Sequence, residues 1–455
     1  MTMRTTTNLA PKFAALLLLL LSPCAHAAAQ EARARLEEYM NASARADRFS
    51  GAVLVARDGK PVFVSAYGTA DAENDVPLTP QHKFRLGSIT KQFTAAAVML
   101  LQERGKLSVQ DPVCKHVAPC PEAWRPVTLH HLLTHTSGVP SFTSLPDYKK
   151  TEPLPSPVES TLARFRDLPL EFAPGESFNY SNSGYVLLGH VIERVSGKPY
   201  AEFVRQEIFA PLGMNDSGYD DPSRVVKRRA RGYTFDGDEL RNAPFLDMTI
   251  PHAAGALYST VGDLLLWDQA LYTEKLLPRR AVEQMFTPAR NGYAYGWAST
   301  RLFDRPLVTH NGGINGFTTN IMRFTGDRVT VVVLSNVESP HTDRVARDLA
   351  AVVFGQPYRV PAERAVAKVD PKLYDDYAGE YQLAPAFSIT ITREGDRLFA
   401  QATGQPRFEI FPESETVFFL KVVEARLTFR RDEQGRVTGL VLDQGGRQMP
   451  AGKVK

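Results

Sequence analysis

A chain of 455 residues, 43% hydrophobic and 23% charged, has room for a large core and more than one domain. Its formal charge of +3 is too small to favour nucleic acid or an anionic membrane surface as a partner. No stretch approaches the ~18 consecutive apolar residues of a spanning helix, so no transmembrane segment is expected.

The first residues read as a targeting signal. Arg4 and Lys12 precede the apolar run FAALLLLLL, and SPCAHAAAQ follows. A basic start, a short apolar run and an A-x-A site predict a signal peptide over residues 1–27, cut after Ala27, and hence an exported, periplasmic or secreted protein. Cys24 falls inside this segment, and Pro23 argues against a lipid anchor there. Residues 30–48 predict an amphipathic helix. GAVLVARDGKPVFVSAYG (51–68) predicts two strands turning at Asp58-Gly59. RLGSITKQFT (85–94) opens a helix that continues as FTAAAVMLL and stops near Gly105. Cys114 and Cys120, in CKHVAPC, are expected to form a local disulfide in an exported chain.

Residues 144–157 (SLPDYKKTEPLPSP) are Pro-rich and predict an exposed loop. A helix is expected to start just after Asn182 and stop at Gly197, on the spacing of apolar residues 186, 187, 191, 192 and 195. Strands follow at 305–310, 318–324 and 329–336, with a turn at 325–328, and then a second amphipathic helix over 341–355. Strands come first and last, with helices between. That order predicts an antiparallel sheet built from both chain ends and covered by helices. Residues 355–372 read as a linker. Beyond it FSITITR, RLFAQA, RFEIFPE, TVFFLKV, RLTFRR and VTGLVLD predict a small all-β barrel or sandwich.

Three short motifs carry chemistry. Ser88-x-x-Lys91 is the only S-x-x-K in the chain and sits at the start of an apolar helix. A helix start offers free N–H groups and partial positive charge, and residues three apart share a face. The lysine amine can therefore reach the serine hydroxyl. By itself the motif is weak, because a capping serine beside a snorkelling lysine looks the same. Tyr180-Ser181-Asn182 stands just before a helix. His310-Asn311-Gly312 ends a strand, where Gly312 and Gly313 would let a substrate backbone lie along the edge.

Together, in this order, the three motifs resemble the penicillin-recognising serine hydrolases, the group of class C β-lactamases, D-Ala-D-Ala carboxypeptidases, D-aminopeptidases and related esterases. The stretches 131–140, 172–185 and 253–267 are also similar to that group. The resemblance implies an α+β fold, with a β-lactamase/transpeptidase-like antiparallel sheet flanked by helices and a helical subdomain over residues 28–355. A linker (356–371) and a lipocalin-like β-barrel (372–455) would follow. It implies Ser88 as the acylated nucleophile, with Lys91 and Tyr180 sharing proton transfer. Asn182 would donate to the substrate's acyl-side amide, and the N–H groups of Ser88 and Gly313 would form an oxyanion hole. His310 stands where class C enzymes carry a lysine, lining the substrate site with Gly312 and Gly313. A mostly neutral histidine there tilts the substrate away from β-lactams.

The expected function is an exported serine hydrolase without metal or cofactor. Its expected substrate is a D-amino-acid peptide or small ester, with peptidoglycan fragments among the candidates. A β-lactamase is the alternative within the class. A non-catalytic penicillin-binding or sensor protein is the alternative outside it. His130, His131 and His135 read as structural histidines near the site entrance, because no acidic third ligand stands nearby. Asp263 and Trp267 read as cap and core, whereas Tyr295 and Trp297 suit pocket or core equally. Oligomeric state is left open.

Overall fold

The computed structural model describes residues 22–339, 341–362, 365–421, 425–444 and 447–454; most of the expected signal peptide lies outside them. The first helix, α1, spans Ser22–Ala46. Strands β1 (Gly51–Arg57) and β2 (Lys60–Tyr67) form the predicted hairpin. Its turn places Asp58 at φ 52° and Gly59 at φ 72°, as a tight two-residue connection requires.

Four more strands complete the sheet: β3 (Ala298–Leu302), β4 (Arg305–Ile314), β5 (Phe317–Phe324) and β6 (Val329–Ser335). Their order is β3-β4-β5-β6-β1-β2, with every pair antiparallel. Strand β1 runs against β6 from Gly51↔Ser335 to Arg57↔Val329, so chain from both ends of residues 51–335 meets in the middle of the sheet. All seven residues of β6 are buried, because helices cover both faces of the sheet. Alternate residues divide between two cores, as strand geometry dictates. Val53, Val55, Val331 and Val333 pack with Leu36, Tyr39 and Leu349 of α1 and the late helix Thr342–Phe354. Ala52, Leu54, Val332 and Leu334 face the larger core around Phe93 and Val98.

The central helix, α2, spans Thr90–Glu103, and all but its last two residues are buried. Gly105 ends it at φ 66°. Helix α3 (Asn182–Ser196) packs against α2 and stops at Gly197, at φ 70°. Cys114 and Cys120 form the expected disulfide. Strand β3 and the Gly312–Ile314 end of β4 are additions to the sequence reading.

The stretch 144–157 is not simply an exposed loop. It contains a helical turn at Tyr148–Thr151. Glu152 is buried, and its carbonyl accepts the Asp247 N–H at 2.9 Å. The partners come from a segment a hundred residues away, beyond the reach of local pattern.

Residues 356–362 and 365–370 carry no helix or strand. Eight antiparallel strands then close into a barrel, from Gly379–Ala384 to Arg447–Lys453. Sequence showed the middle six; the first and last close the ring through Tyr381↔Lys453 and Gln382↔Gly452. Tyr377 stacks on Phe429 at 4.2 Å, and Tyr381 and Phe418 pack around them, so aromatic side chains fill the barrel interior.

Candidate active site

Ser88 lies on a 3₁₀ turn, Gly87–Ile89, immediately before α2. The turn is pressed onto β4. Gly87 has φ 54°, and a Cβ there would stand 2.9 Å from the Gly313 carbonyl oxygen. At Gly312 a Cβ would stand 2.1 Å from the Leu86 carbonyl oxygen and 3.1 Å from the Ser88 nitrogen. Thr319, opposite Gly312 on β5, donates to that same Leu86 carbonyl at 2.8 Å. These contacts explain both glycines and bring the strand backbone beside the Ser88 amide.

Lys91 is fully buried in the first turn of α2. Its Nζ lies 3.0 Å from Ser88 Oγ, 2.9 Å from Asn182 Oδ1 and 2.9 Å from the Ala254 carbonyl oxygen. The Asn182 amide nitrogen donates to Thr143 Oγ1 at 3.1 Å, which turns its oxygen towards the lysine. Tyr180 approaches α3 in extended chain. Its ring stacks obliquely on His135 at 4.2 Å and lies 4.9 Å from Lys91 Nζ. The buried Tyr180 hydroxyl holds no well-formed hydrogen bond among the described residues. The structure thus gathers Ser88, Lys91, Tyr180 and Asn182 around one point.

His310 differs from its sequence reading. It is buried, with Nε2 at 2.8 Å from the Tyr293 hydroxyl and Nδ1 at 2.5 Å from the Asn311 carbonyl oxygen. A carbonyl can only accept, so Nδ1 carries the proton and Nε2 accepts from Tyr293. Both nitrogens are therefore engaged within the protein, and His310 lies behind Tyr180, their rings 6.4 Å apart, rather than lining the cleft. Gly313 does line it. Beyond Thr309, the last residue of β4 paired to β3, the strand continues to Ile314 with that edge facing the serine turn.

Burial sets the protonation states. It lowers the Lys91 amine well below the usual lysine range. It raises the Tyr180 phenol, with the Ser88 hydroxyl opposing that shift. His135 is pushed well below its usual range by burial, then by Lys91 and His310. His310 is pushed down to about 4 by burial, against the Asn311 carbonyl. Because the unfolded chain takes up this proton first, acidification from about pH 6.5 towards 4 should cost up to about 3 kcal/mol of stability through His310. Urea melts at pH 7 and 4.5 are expected to show a smaller loss in His310→Gln than in wild type.

Sequence reading missed three contributors. Tyr293 sits two residues before Tyr295 in the same aromatic run. Tyr295 instead bonds His130 Nδ1 at 2.7 Å, and Trp297 is core. Ala254 acts through its backbone, which no side-chain motif records. Thr143 lies in the stretch at the edge of the supposed loop. His135, expected near the entrance, supports Tyr180 from below and accepts the Ser181 N–H at 3.1 Å. Trp267 is core as read, its buried indole donating to Gln92, but the cap is Thr260, which accepts the Asp263 N–H, while the Asp263 carboxylate accepts from the Asp216 N–H and the Ser217 hydroxyl.

A serine beside a buried lysine, set against a strand edge, defines a serine hydrolase site. Residues 32–356 match the Beta-lactamase family, and the chain belongs to that family. It is 31% identical to Penicillin-binding protein 4* of Bacillus subtilis (strain 168), over 92% of this chain and 98% of the relative. Among solved structures, the octameric penicillin-binding protein homologue from Pyrococcus abyssi superposes with TM-score 0.66 at 28% identity, covering 92% of this chain and 99% of that one. A D-stereospecific amidohydrolase from Streptomyces gives 0.61 at 26%, covering 73% of this chain and 99% of its own. Residues 363–450 match a domain of unknown function, DUF3471.

Proposed function

We propose that Ser88 is the nucleophile of an acyl-enzyme hydrolase acting on amides or esters. One observation carries the reading: two of the three groups around Lys91 Nζ are oxygens that can only accept, Asn182 Oδ1 and the Ala254 carbonyl. A neutral amine spends its two N–H groups on them, and its lone pair is left facing Ser88 Oγ. Burial favours that neutral form. Lys91 is then the base, and Tyr180, whose phenol stays protonated, is suited to pass a proton to the leaving group.

In the first step Ser88 Oγ bonds to the substrate carbonyl carbon, its proton moves to Lys91, and the carbonyl oxygen becomes an oxyanion facing the N–H groups of Ser88 and Gly313. The bond to the leaving group breaks as that group takes a proton. Water then attacks the ester, releasing the acid and restoring Ser88. D-aminoacyl amides and small esters are the favoured substrates, in line with the amidohydrolase relative. β-Lactams are disfavoured, since the residues described as lining the cleft offer a carboxylate no cation. Intact-mass spectrometry after incubation with a fluorescent penicillin, a p-nitrophenyl ester and D-aminoacyl anilides tests this. A single acyl adduct or turnover is expected in wild type with at least one of them, and neither in Ser88→Ala. Inertness to all would end the reading.

We also propose export, with residues 1–27 removed. The Cys114–Cys120 disulfide suits an oxidising compartment. N-terminal sequencing of protein from the producing cell should begin at Ala28.

A further inference from the structure

The cleft above Ser88 has a volume of about 210 Å³, and among the described residues no charged side chain lines it. Phe142, Tyr148, Leu246 and Ile314 provide its apolar wall, with Thr143 and Asn182 as polar points. Burial pushes the Tyr148 phenol up to about 12, so it stays neutral. Two nearby ion pairs close on themselves, Lys149 with Glu152 at 3.2 Å and Arg164 with Asp147 at 3.1 Å, and the buried Asp247 carboxylate beside Leu246 accepts from the Thr249 N–H and hydroxyl.

The same wall continues outwards. Asp247 donates its N–H to the Glu152 carbonyl, and Ser156 donates its N–H to Thr249 Oγ1, so segments 148–156 and 245–250 form one rim. That rim carries Leu154 and Phe245, which are 58% and 59% exposed. Single exposed apolar residues need no explanation, but two large ones on the rim of an apolar cleft do.

We infer that the acyl group places a bulky apolar side chain in this cleft, aromatic or branched aliphatic, in ester or amide linkage. This inference rests on Ser88 being the nucleophile. A charged side chain on the acyl group would lose water there without gaining a partner. An apolar one gains burial against Phe142, Leu246 and Ile314, and each extra buried carbon discriminates modestly, so a ring should count for about 10-fold or more in kcat/KM.

The test compares p-nitrophenyl acetate, phenylacetate and hemisuccinate on the full-length protein, each corrected for its hydroxide-catalysed rate. Phenylacetate is expected to exceed acetate by about 10-fold or more, and hemisuccinate to fall below acetate. Ile314→Lys, at a half-buried position, is expected to reverse the order of phenylacetate and hemisuccinate. Equal rates for the three esters, all dependent on Ser88, would overturn the apolar assignment and leave the serine reading intact. Rates unchanged in Ser88→Ala would overturn the serine reading instead.

Discussion

Replacing Lys91 with methionine is expected to lower kcat/KM for an activated ester by about 10³-fold, within the range general-base catalysis supplies, while the melting temperature stays within about 5 °C of wild type. The two effects separate because the amine is buried and, among the described residues, forms no ion pair with a carboxylate. Methionine fills a similar space with no polar atom to bury. Its cost is the loss of donors to Asn182 Oδ1 and the Ala254 carbonyl, about 1–3 kcal/mol for each group left unpaired, offset by relief of the buried amine. The pH profile gives the sign independently. In the proposed mechanism the neutral amine is the active form, so the rate should rise with pH through the Lys91 titration. Because burial depresses that titration, the acid limb should lie well below where an exposed lysine titrates. A loss smaller than 10-fold in Lys91→Met would move the role of base to Tyr180.

Gly312→Ala is expected to abolish measurable turnover and to destabilise the fold by about 1–3 kcal/mol or more, as overpacking does. The new methyl would meet the Leu86 carbonyl oxygen at 2.1 Å and Thr319 Oγ1 at 2.3 Å, and the first is backbone that cannot step aside. The serine turn would have to lift from β4, carrying the Ser88 amide away from the strand edge. Its neighbour is the control: a Cβ on Gly313 meets nothing within 4 Å, so Gly313→Ala should melt with wild type. Circular-dichroism melts with ester kinetics decide between them. Equal behaviour of the two variants would show that the turn is not seated through Gly312.

The sheet built from both chain ends was legible because β1 and β6 are mostly apolar along their length, as burial on both faces demands. The barrel was legible as six strands and not eight. Its closing strands, GEYQLA and RQMPAGK, are polar and Gly- or Pro-containing, and only their pairing reveals them. Ser88, Lys91, Tyr180 and Asn182 were legible as motifs. The locked tautomer of His310 was not, since it depends on Tyr293 and on a backbone carbonyl. Nor was the Ala254 carbonyl, which any residue could supply.

The register between Gly51 and Ser335 has a consequence for biosynthesis. Strand β1 leaves the ribosome early and waits for β6 until nearly all of the catalytic region has been made. The large core and the sheet's second core both include residues of these two strands, so neither is complete before β6 has been made. The barrel differs: its strands pair mostly with their sequence neighbours and can zip up as they emerge. The sheet is therefore expected to be completed only after β6 has emerged, late in synthesis.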